Sequence, residues 1–140
     1  MTATSYGQIE FGDKLDVVEA RLGERAPVIV DSDEIHCRLV EFKAYPHVIF
    51  MIEEGAVTRA ESSMPVPTSV GFTVGASLDA IKRRIPSVEI EPHQYDPDGH
   101  YLTFKNVDGK AAILMEEAAG KVTNVRGGLI PAVQYVEGCL

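Results

Sequence analysis

The chain has 140 residues, of which 45% are apolar, and its formal net charge is −8. This length and composition suit one compact domain with a continuous buried core. The charge argues against nucleic-acid binding, because phosphate contacts need a basic face and the basic residues cluster only at Lys82, Arg83 and Arg84. No apolar run approaches the roughly eighteen residues of a membrane-spanning helix, and the N-terminus MTATSYGQIEFGDKL lacks the pattern of a signal peptide.

Two parts of the chain resemble each other at an offset of 63 residues. The matched segments are IEFGDKLDVVEARLG at 9–23 with FTVGASLDAIKRRIP at 72–86, VIFMIEE at 48–54 with AAILMEE at 111–117, and GAVTRA at 55–60 with GKVTNV at 120–125. A period of this length is too long for a solenoid unit and predicts two copies of a small α+β module. We therefore expect a first repeat over 1–61, a linker over 62–70 and a second repeat over 71–140, all within one compact domain.

Each predicted repeat opens with a short helix. Apolar residues recur at i, i+3 and i+7, which places them on one helix face: Leu15, Val18 and Leu22, and then Leu78, Ile81 and Ile85. Asp13 and Ser77 are the predicted N-caps, because their side-chain oxygens can accept from the unpaired amides of the first turn. Gly23 and Pro86 are the predicted stops.

Short β-type runs separated by turn residues follow each helix. The predicted strands lie near 28–30, 37–42, 48–53 and 56–61 in the first repeat, and near 88–92, 101–105, 111–117, 121–126 and 132–136 in the second. Tight EG and DG connections favour antiparallel hairpins. The simplest assembly is an α+β fold with one antiparallel sheet of about eight strands and both helices on one face. The other face is then left to solvent or to a partner.

The segment PHQYDPDGHYLTF at 92–104 concentrates residues that could carry chemistry. DPDG at 96–99 has the composition of a type I turn, which explains the segment without any ligand. His93 and His100 are separated by six residues, a spacing outside that of common histidine metal pairs, although a hairpin could still bring them together. A weak metal or small-molecule site using these two histidines is therefore an alternative to a plain turn.

Other catalytic patterns are absent from the sequence. It has no phosphate-binding loop with a lysine, no nucleophile elbow and no HExxH motif, so we name no catalytic residue, metal ligand or cofactor. The carboxylate pairs Glu53/Glu54 and Glu116/Glu117 occupy equivalent places before turns in both repeats, and we interpret them as solvated strand ends.

The two cysteines, Cys37 and Cys139, lack the spacing of a metal or redox motif. A disulfide between them would close a loop of about 100 residues and would indicate an oxidising compartment. The alternative is a buried thiol at 37 and a frayed thiol at 139.

Three resemblances accompany these motifs. The unit G-x-x-L-x-x-V…LG, followed by strands ending in EGxVTR, is similar to the SmpA/OmlA-type outer-membrane lipoprotein domain, and two such units in tandem resemble the architecture of β-lactamase inhibitory proteins. PHQYDPDGHYL and the terminal QYVEGC resemble uncharacterised exported or lipid-anchored proteobacterial proteins, whose mature domain follows a signal peptide. This last resemblance favours the Cys37–Cys139 bridge and a signal sequence preceding Met1. None of the resemblances carries catalytic residues, and no lipobox cysteine lies near the start.

We therefore predict a non-enzymatic, protein-binding module of the bacterial cell envelope, periplasmic or exported, with a cytoplasmic location as the alternative. The resemblance to β-lactamase inhibitory proteins implies an inhibitor-like role within this class. The net acidity of the chain favours a basic protein partner. Tyr95 and Tyr101 are the contact candidates, because tyrosine rings supply contact area at low entropic cost. The alternatives are a ligand module centred on His93 and His100, and a hydrolase-like enzyme whose residues meet only in the fold.

Overall fold

The computed structural model describes residues 1–32 and 36–139 of the chain. Its helices are α1 (Leu15–Leu22) and α2 (Leu78–Arg84), and a turn of 3-10 helix covers Ala132–Gln134. The strands are β1 (Ser5–Tyr6), β2 (Ile9–Glu10), β3 (Val28–Ser32), β4 (Cys37–Val40), β5 (Ile49–Glu53), β6 (Ala56–Ser62), β7 (Glu89–Pro92), β8 (His100–Lys105), β9 (Ala111–Ala118) and β10 (Lys121–Leu129).

Eight of the strands form one sheet, in the order β3-β4-β5-β6-β10-β9-β8-β7. Every neighbouring pair in it is antiparallel. β1 and β2 form a separate two-stranded sheet, which the sequence patterns did not predict. The predicted α+β class and the antiparallel sheet of about eight strands are confirmed.

Both helices pack on the same face of the large sheet. Val18 of α1 and Ile81 of α2 are fully buried, and both belong to one apolar cluster with strand residues that include Phe50, Leu102 and Met115. Burial of these side chains is the main favourable contribution to folding on this face. The helices therefore occupy one face, as the apolar periodicity predicted.

The two helices begin differently. The Ser77 side chain accepts a hydrogen bond from the amide of Ala80 at 3.0 Å, so its prediction as an N-cap is confirmed. The prediction for Asp13 is wrong, because the N-cap of α1 is Lys14, which makes no side-chain cap. Asp13 Oδ2 instead accepts from Nη1 of Arg21 in the last turn of the same helix, at 2.8 Å.

The start of each helix is hydrogen-bonded to the second of the two strand hairpins that follow it in the chain. The amide-to-carbonyl contacts are Gly12 to Val57 at 2.7 Å and Leu15 to Gly55 at 2.9 Å, and then Gly75 to Val122 at 2.8 Å and Leu78 to Gly120 at 2.9 Å. These bonds tie α1 to the β5–β6 turn and α2 to the β9–β10 turn.

Residues 130–139, called here the C-terminal segment, cross the second face of the sheet. The predicted strand over 132–136 is wrong, because Pro131 offers no N–H to a strand ladder and the chain turns into a 3-10 helix. Ala132 and Val133 are buried against this face. Part of the second face, which we expected to be left to solvent or to a partner, is therefore covered by the chain itself.

Candidate functional site

Two buried arginines hold the C-terminal segment on the sheet. Arg59 Nη1 donates to the carbonyls of Ala132 at 3.2 Å and Tyr135 at 3.0 Å. Arg126 Nη1 donates to the same Tyr135 carbonyl at 2.8 Å. Because the guanidinium groups satisfy backbone carbonyls that have no strand partner, they compensate for burying this irregular segment.

Glutamates neutralise both arginines. Arg59 Nη2 lies 2.7 Å from Oε2 of Glu61, and Arg126 Nε lies 3.6 Å from the same oxygen. Arg126 also forms an ion pair with Glu116. Burial lowers the pKa of both guanidinium groups, and the charge of Glu61 opposes this shift in each case. The result is a compact cluster of two positive and two negative side chains beneath the segment.

A disulfide between Cys37 and Cys139 fixes the far end of the C-terminal segment, with the two Cα atoms 5.3 Å apart. Both cysteines are buried and pack with Met51 and Ala132. Of the two alternatives that the sequence left open, the bridge is therefore the one present.

The DPDG segment forms the predicted turn. The amide of Gly99 donates to the carbonyl of Asp96 at 3.0 Å, and the amide of Asp98 donates to Oδ1 of Asp96 at 3.0 Å. His93 belongs to the same turn, because its Nδ1 accepts from the amides of Tyr95 and Asp96, each at 3.1 Å. One nitrogen of His93 is thereby used to shape the hairpin.

His93 and His100 do not converge. His93 stacks on Tyr101 with the ring centroids 4.5 Å apart, and its Nε2 lies 3.9 Å from Glu116. His100 Nδ1 lies 2.7 Å from Oε2 of Glu117. Because successive strand residues point to opposite faces, these two pairs lie on opposite sides of the sheet. Within 1–32 and 36–139, no group of three or more His, Cys, Asp or Glu side chains could hold a metal ion.

Glu117 differs from the predicted solvated strand end. Only 2% of its side chain is exposed, and its carboxylate accepts from the amide of Gly120 at 2.6 Å as well as contacting His100. The interpretation is wrong for this residue because the turn after β9 folds back over it. Glu53, in contrast, is partly exposed and accepts from the hydroxyl of Thr58 at 2.7 Å.

The two predicted contact tyrosines have different environments. Tyr101 is only 9% exposed and its ring stacks on that of His93, so it offers a partner much less area than Tyr95 does. Tyr95 is 62% exposed, and its hydroxyl donates to Oε1 of Glu137 in the C-terminal segment at 2.6 Å. This hydrogen bond to a carboxylate raises the pKa of the Tyr95 phenol.

A surface depression, called here the tail groove, lies between the β7–β8 hairpin and the C-terminal segment. It consists of two adjoining cavities of about 540 and 250 Å³ that share Gln94 and Val136. The larger is lined by Cys37, Glu53, Gln94, Tyr95, Tyr135, Val136, Glu137 and Gly138, and the smaller by Glu91, Pro92, Gln94, Tyr101, Leu114, Gln134 and Val136. Among the described residues of this lining, the charged side chains are all carboxylates.

Sequence reasoning missed Tyr135, which is 40% exposed on the wall of the tail groove. The prediction of a strand over AVQYV at 132–136 does not anticipate that Tyr135 and Glu137 line a cavity together with Tyr95 of the hairpin. Pro131 was the available signal, because a proline after a long strand favours an irregular path.

Comparisons with known proteins give a fold likeness and no family. No family model matches the chain, and no curated protein matches it. A solved structure described as an extracellular protein containing a SCP domain, from Bacillus anthracis str. Ames, is similar with a TM-score of 0.52 and 9% identity. The similarity covers 87% of this chain and 46% of that chain, so this chain spans less than half the length of that protein. Neither helix of the described residues is long and apolar enough to cross a membrane.

Proposed function

We propose that the chain is a non-enzymatic protein-binding module of the cell envelope, periplasmic or exported, and that the tail groove is its contact surface. The observation that carries this proposal is the pair of exposed tyrosines, Tyr95 and Tyr135, on the walls of a groove that a disulfide borders. Aromatic rings of this kind are enriched among the residues that dominate protein interfaces.

The rigidity of the groove supports the proposal. One wall belongs to the C-terminal segment, which is held by the bridge at Cys139 and by the bonds from Arg59 and Arg126 to the Tyr135 carbonyl. The other wall is the hairpin that His93 shapes. A surface that is already ordered loses little conformational entropy on binding, which favours affinity.

The disulfide supports an oxidising location, because such bonds persist in secreted and periplasmic proteins and are rare in the cytosol. The similar solved structure is described as extracellular, which is consistent with this location for the present chain. The ligand module at His93 and His100 is not carried forward, since the two imidazoles contact different glutamates.

We further propose that the two halves are tandem repeats. In support, each helix is followed by four strands, and the two sets of four meet at β6 and β10. The four matched hydrogen bonds at the helix starts agree with the alignment of Gly12 with Gly75. An inhibitor-like role within the protein-binding class follows only from the resemblance to β-lactamase inhibitory proteins, and it stays a prediction.

Capture from envelope extract tests the proposed contact surface. The bait is the oxidised chain, compared with Tyr95→Ala/Tyr135→Ala and with the matched control Val17→Ala/Val107→Ala, which alters two exposed apolar residues outside the tail groove. We expect one or a few proteins to be enriched by the wild type and the control and depleted at least about tenfold with the tyrosine variant. Equal enrichment by all three baits would contradict the proposal, provided that their melting temperatures agree.

A further inference from the structure

We propose that the tail groove binds an extended segment of a partner protein that carries arginine side chains. This inference rests on the proposed function and specifies the chemistry of the partner. It follows from the charge, the floor and the aromatic walls of the groove.

The charges along the groove have one sign. Glu53, Glu91 and Glu137 line it, and no Lys or Arg is among the described residues of its lining. Arg59 and Arg126, which lie on the same face of the sheet as the C-terminal segment, are buried and paired with glutamates. A cationic segment would therefore meet three carboxylates without repulsion from the groove wall.

The carboxylates are accompanied by an apolar floor. Leu114, Val136 and the buried ring of Tyr101 line the smaller cavity, and Val136 continues into the larger one. An extended chain alternates its side chains between two sides, so it can direct apolar groups toward this floor while its cations reach the rim. Two adjoining cavities suit successive side chains of such a segment better than one compact ligand.

The tyrosines favour arginine over lysine. Tyr95 is hydrogen-bonded to Glu137, so an exposed ring and a carboxylate lie side by side in the larger cavity, and Tyr135 lines the same cavity. A guanidinium group can stack on a ring and also donate two parallel hydrogen bonds to a carboxylate, whereas an ammonium group is a compact point charge.

A second copy of the chain is a poor occupant. Each copy carries a net charge of −8, so two acidic surfaces would have to approach each other. Like charges brought together across an interface oppose association. The charge therefore points to a partner of opposite sign.

Calorimetric titration of the oxidised full chain tests the inference with a defined probe, the blocked peptide acetyl-Arg-Leu-Arg-Leu-Arg-amide. The test variant is Glu53→Gln/Glu91→Gln/Glu137→Gln, which keeps acceptor oxygens for Thr58 and Tyr95. Its control is Asp16→Asn/Glu19→Gln/Asp79→Asn, which makes the same change in net charge on the two helices. We expect the test variant to weaken binding by at least about tenfold and the control by less than about threefold.

The lysine and glutamate versions of the peptide complete the test. We expect the lysine peptide to bind at least about threefold more weakly than the arginine peptide, and the glutamate peptide to give no heat of binding. Both results would support arginine recognition. Equal losses in both charge variants would overturn the inference, because they would indicate general attraction to an acidic protein. If the arginine peptide does not bind but capture of a partner depends on Tyr95 and Tyr135, the arginine inference fails and the protein-binding function stands. If the peptide does not bind and no partner is captured through these tyrosines, both proposals fail.

Discussion

Arg59 and Arg126 are the residues whose role depends most on the path of the C-terminal segment. Both are almost completely buried, although arginine in a strand is usually solvated. Their burial could not be predicted from local patterns, because the strand alternation is compatible with either a solvated or a covered second face. The covering segment comes from residues 130–139, far along the chain from Arg59.

We expect Arg126→Met to lower the free energy of unfolding by about 2–4 kcal/mol, because it leaves Glu116 without its buried partner and removes a bond to Tyr135. Arg38→Met is the control, since the Arg38–Asp31 pair lies at the surface and should contribute at most about 1 kcal/mol. Urea denaturation of the oxidised proteins measures both values. Equal effects of the two substitutions would contradict the structural role of the buried cluster.

The Asp13–Arg21 contact makes a pH-dependent contribution to stability. Its hydrogen bond with Arg21 lowers the pKa of Asp13 below the ordinary 3.8. A depressed carboxyl pKa gives stability that is fully present above the unfolded-state pKa and is lost as the pH falls through the lower folded-state pKa. We therefore expect Asp13→Asn to destabilise the protein by about 0.2–1 kcal/mol at pH 7 and by progressively less below pH 3.8.

The measurement is thermal unfolding of wild type and Asp13→Asn from pH 7 to pH 2.5. Arg21→Gln removes the other partner and should produce the same pH dependence, and the double variant should show no further loss. A destabilisation by Asp13→Asn that is unchanged across this pH range would contradict the assignment.

Among the elements, the two helices show why similar apolar spacing does not guarantee equivalent contacts. Apolar spacing placed both on the same face correctly, since Val18 and Ile81 share one core. The caps differ, because the N-cap residue of α1 is Lys14, whose side chain has no acceptor, whereas Ser77 accepts from the amide of Ala80 in α2. Residue type identifies a candidate cap, but the residue at which the helix begins decides which side chain occupies the N-cap position.

We expect Ser77→Ala to lower the free energy of unfolding by about 1 kcal/mol, because an amide in the first turn of α2 loses its acceptor. Lys14→Ala at the equivalent position should change it by less than about 0.5 kcal/mol, as Lys14 makes no side-chain cap. Chemical denaturation distinguishes the two. A loss at position 14 as large as that at position 77 would be inconsistent with the observed caps.

The disulfide between Cys37 and Cys139 constrains the position of the C-terminal segment, which forms one wall of the tail groove. It joins residues 102 positions apart, and the chain-entropy model assigns a loop of this length up to about 4.7 kcal/mol. We expect Cys37→Ser/Cys139→Ser to lose several kcal/mol of stability and to increase hydrogen exchange in the C-terminal segment more than in β9. Uniform acceleration of exchange across both regions would argue against a locally fixed segment.

At the scale of the whole molecule, the sheet could be predicted because its strands follow apolar runs and tight turns in chain order. The predicted hairpins correspond to real antiparallel neighbours, such as β5 with β6 and β8 with β9. The tail groove could not be predicted, since it depends on a segment returning across a sheet face and on a covalent bond whose pairing the residues alone left open. Of the predicted contact residues, the hairpin pattern identified Tyr95 as a candidate, whereas the buried position of Tyr101 required the fold.

Site-directed photo-crosslinking in living cells of the native host tests most directly whether the tail groove contacts a protein. A photoreactive phenylalanine analogue replaces Tyr95 in one variant and Val107, which is fully exposed outside the groove, in the other. We predict a discrete, heavier adduct from position 95 and none of the same mass from position 107. Normal accumulation of both variants with no adduct from position 95, or with the same adducts from both positions, would contradict the assignment of the tail groove as the binding surface.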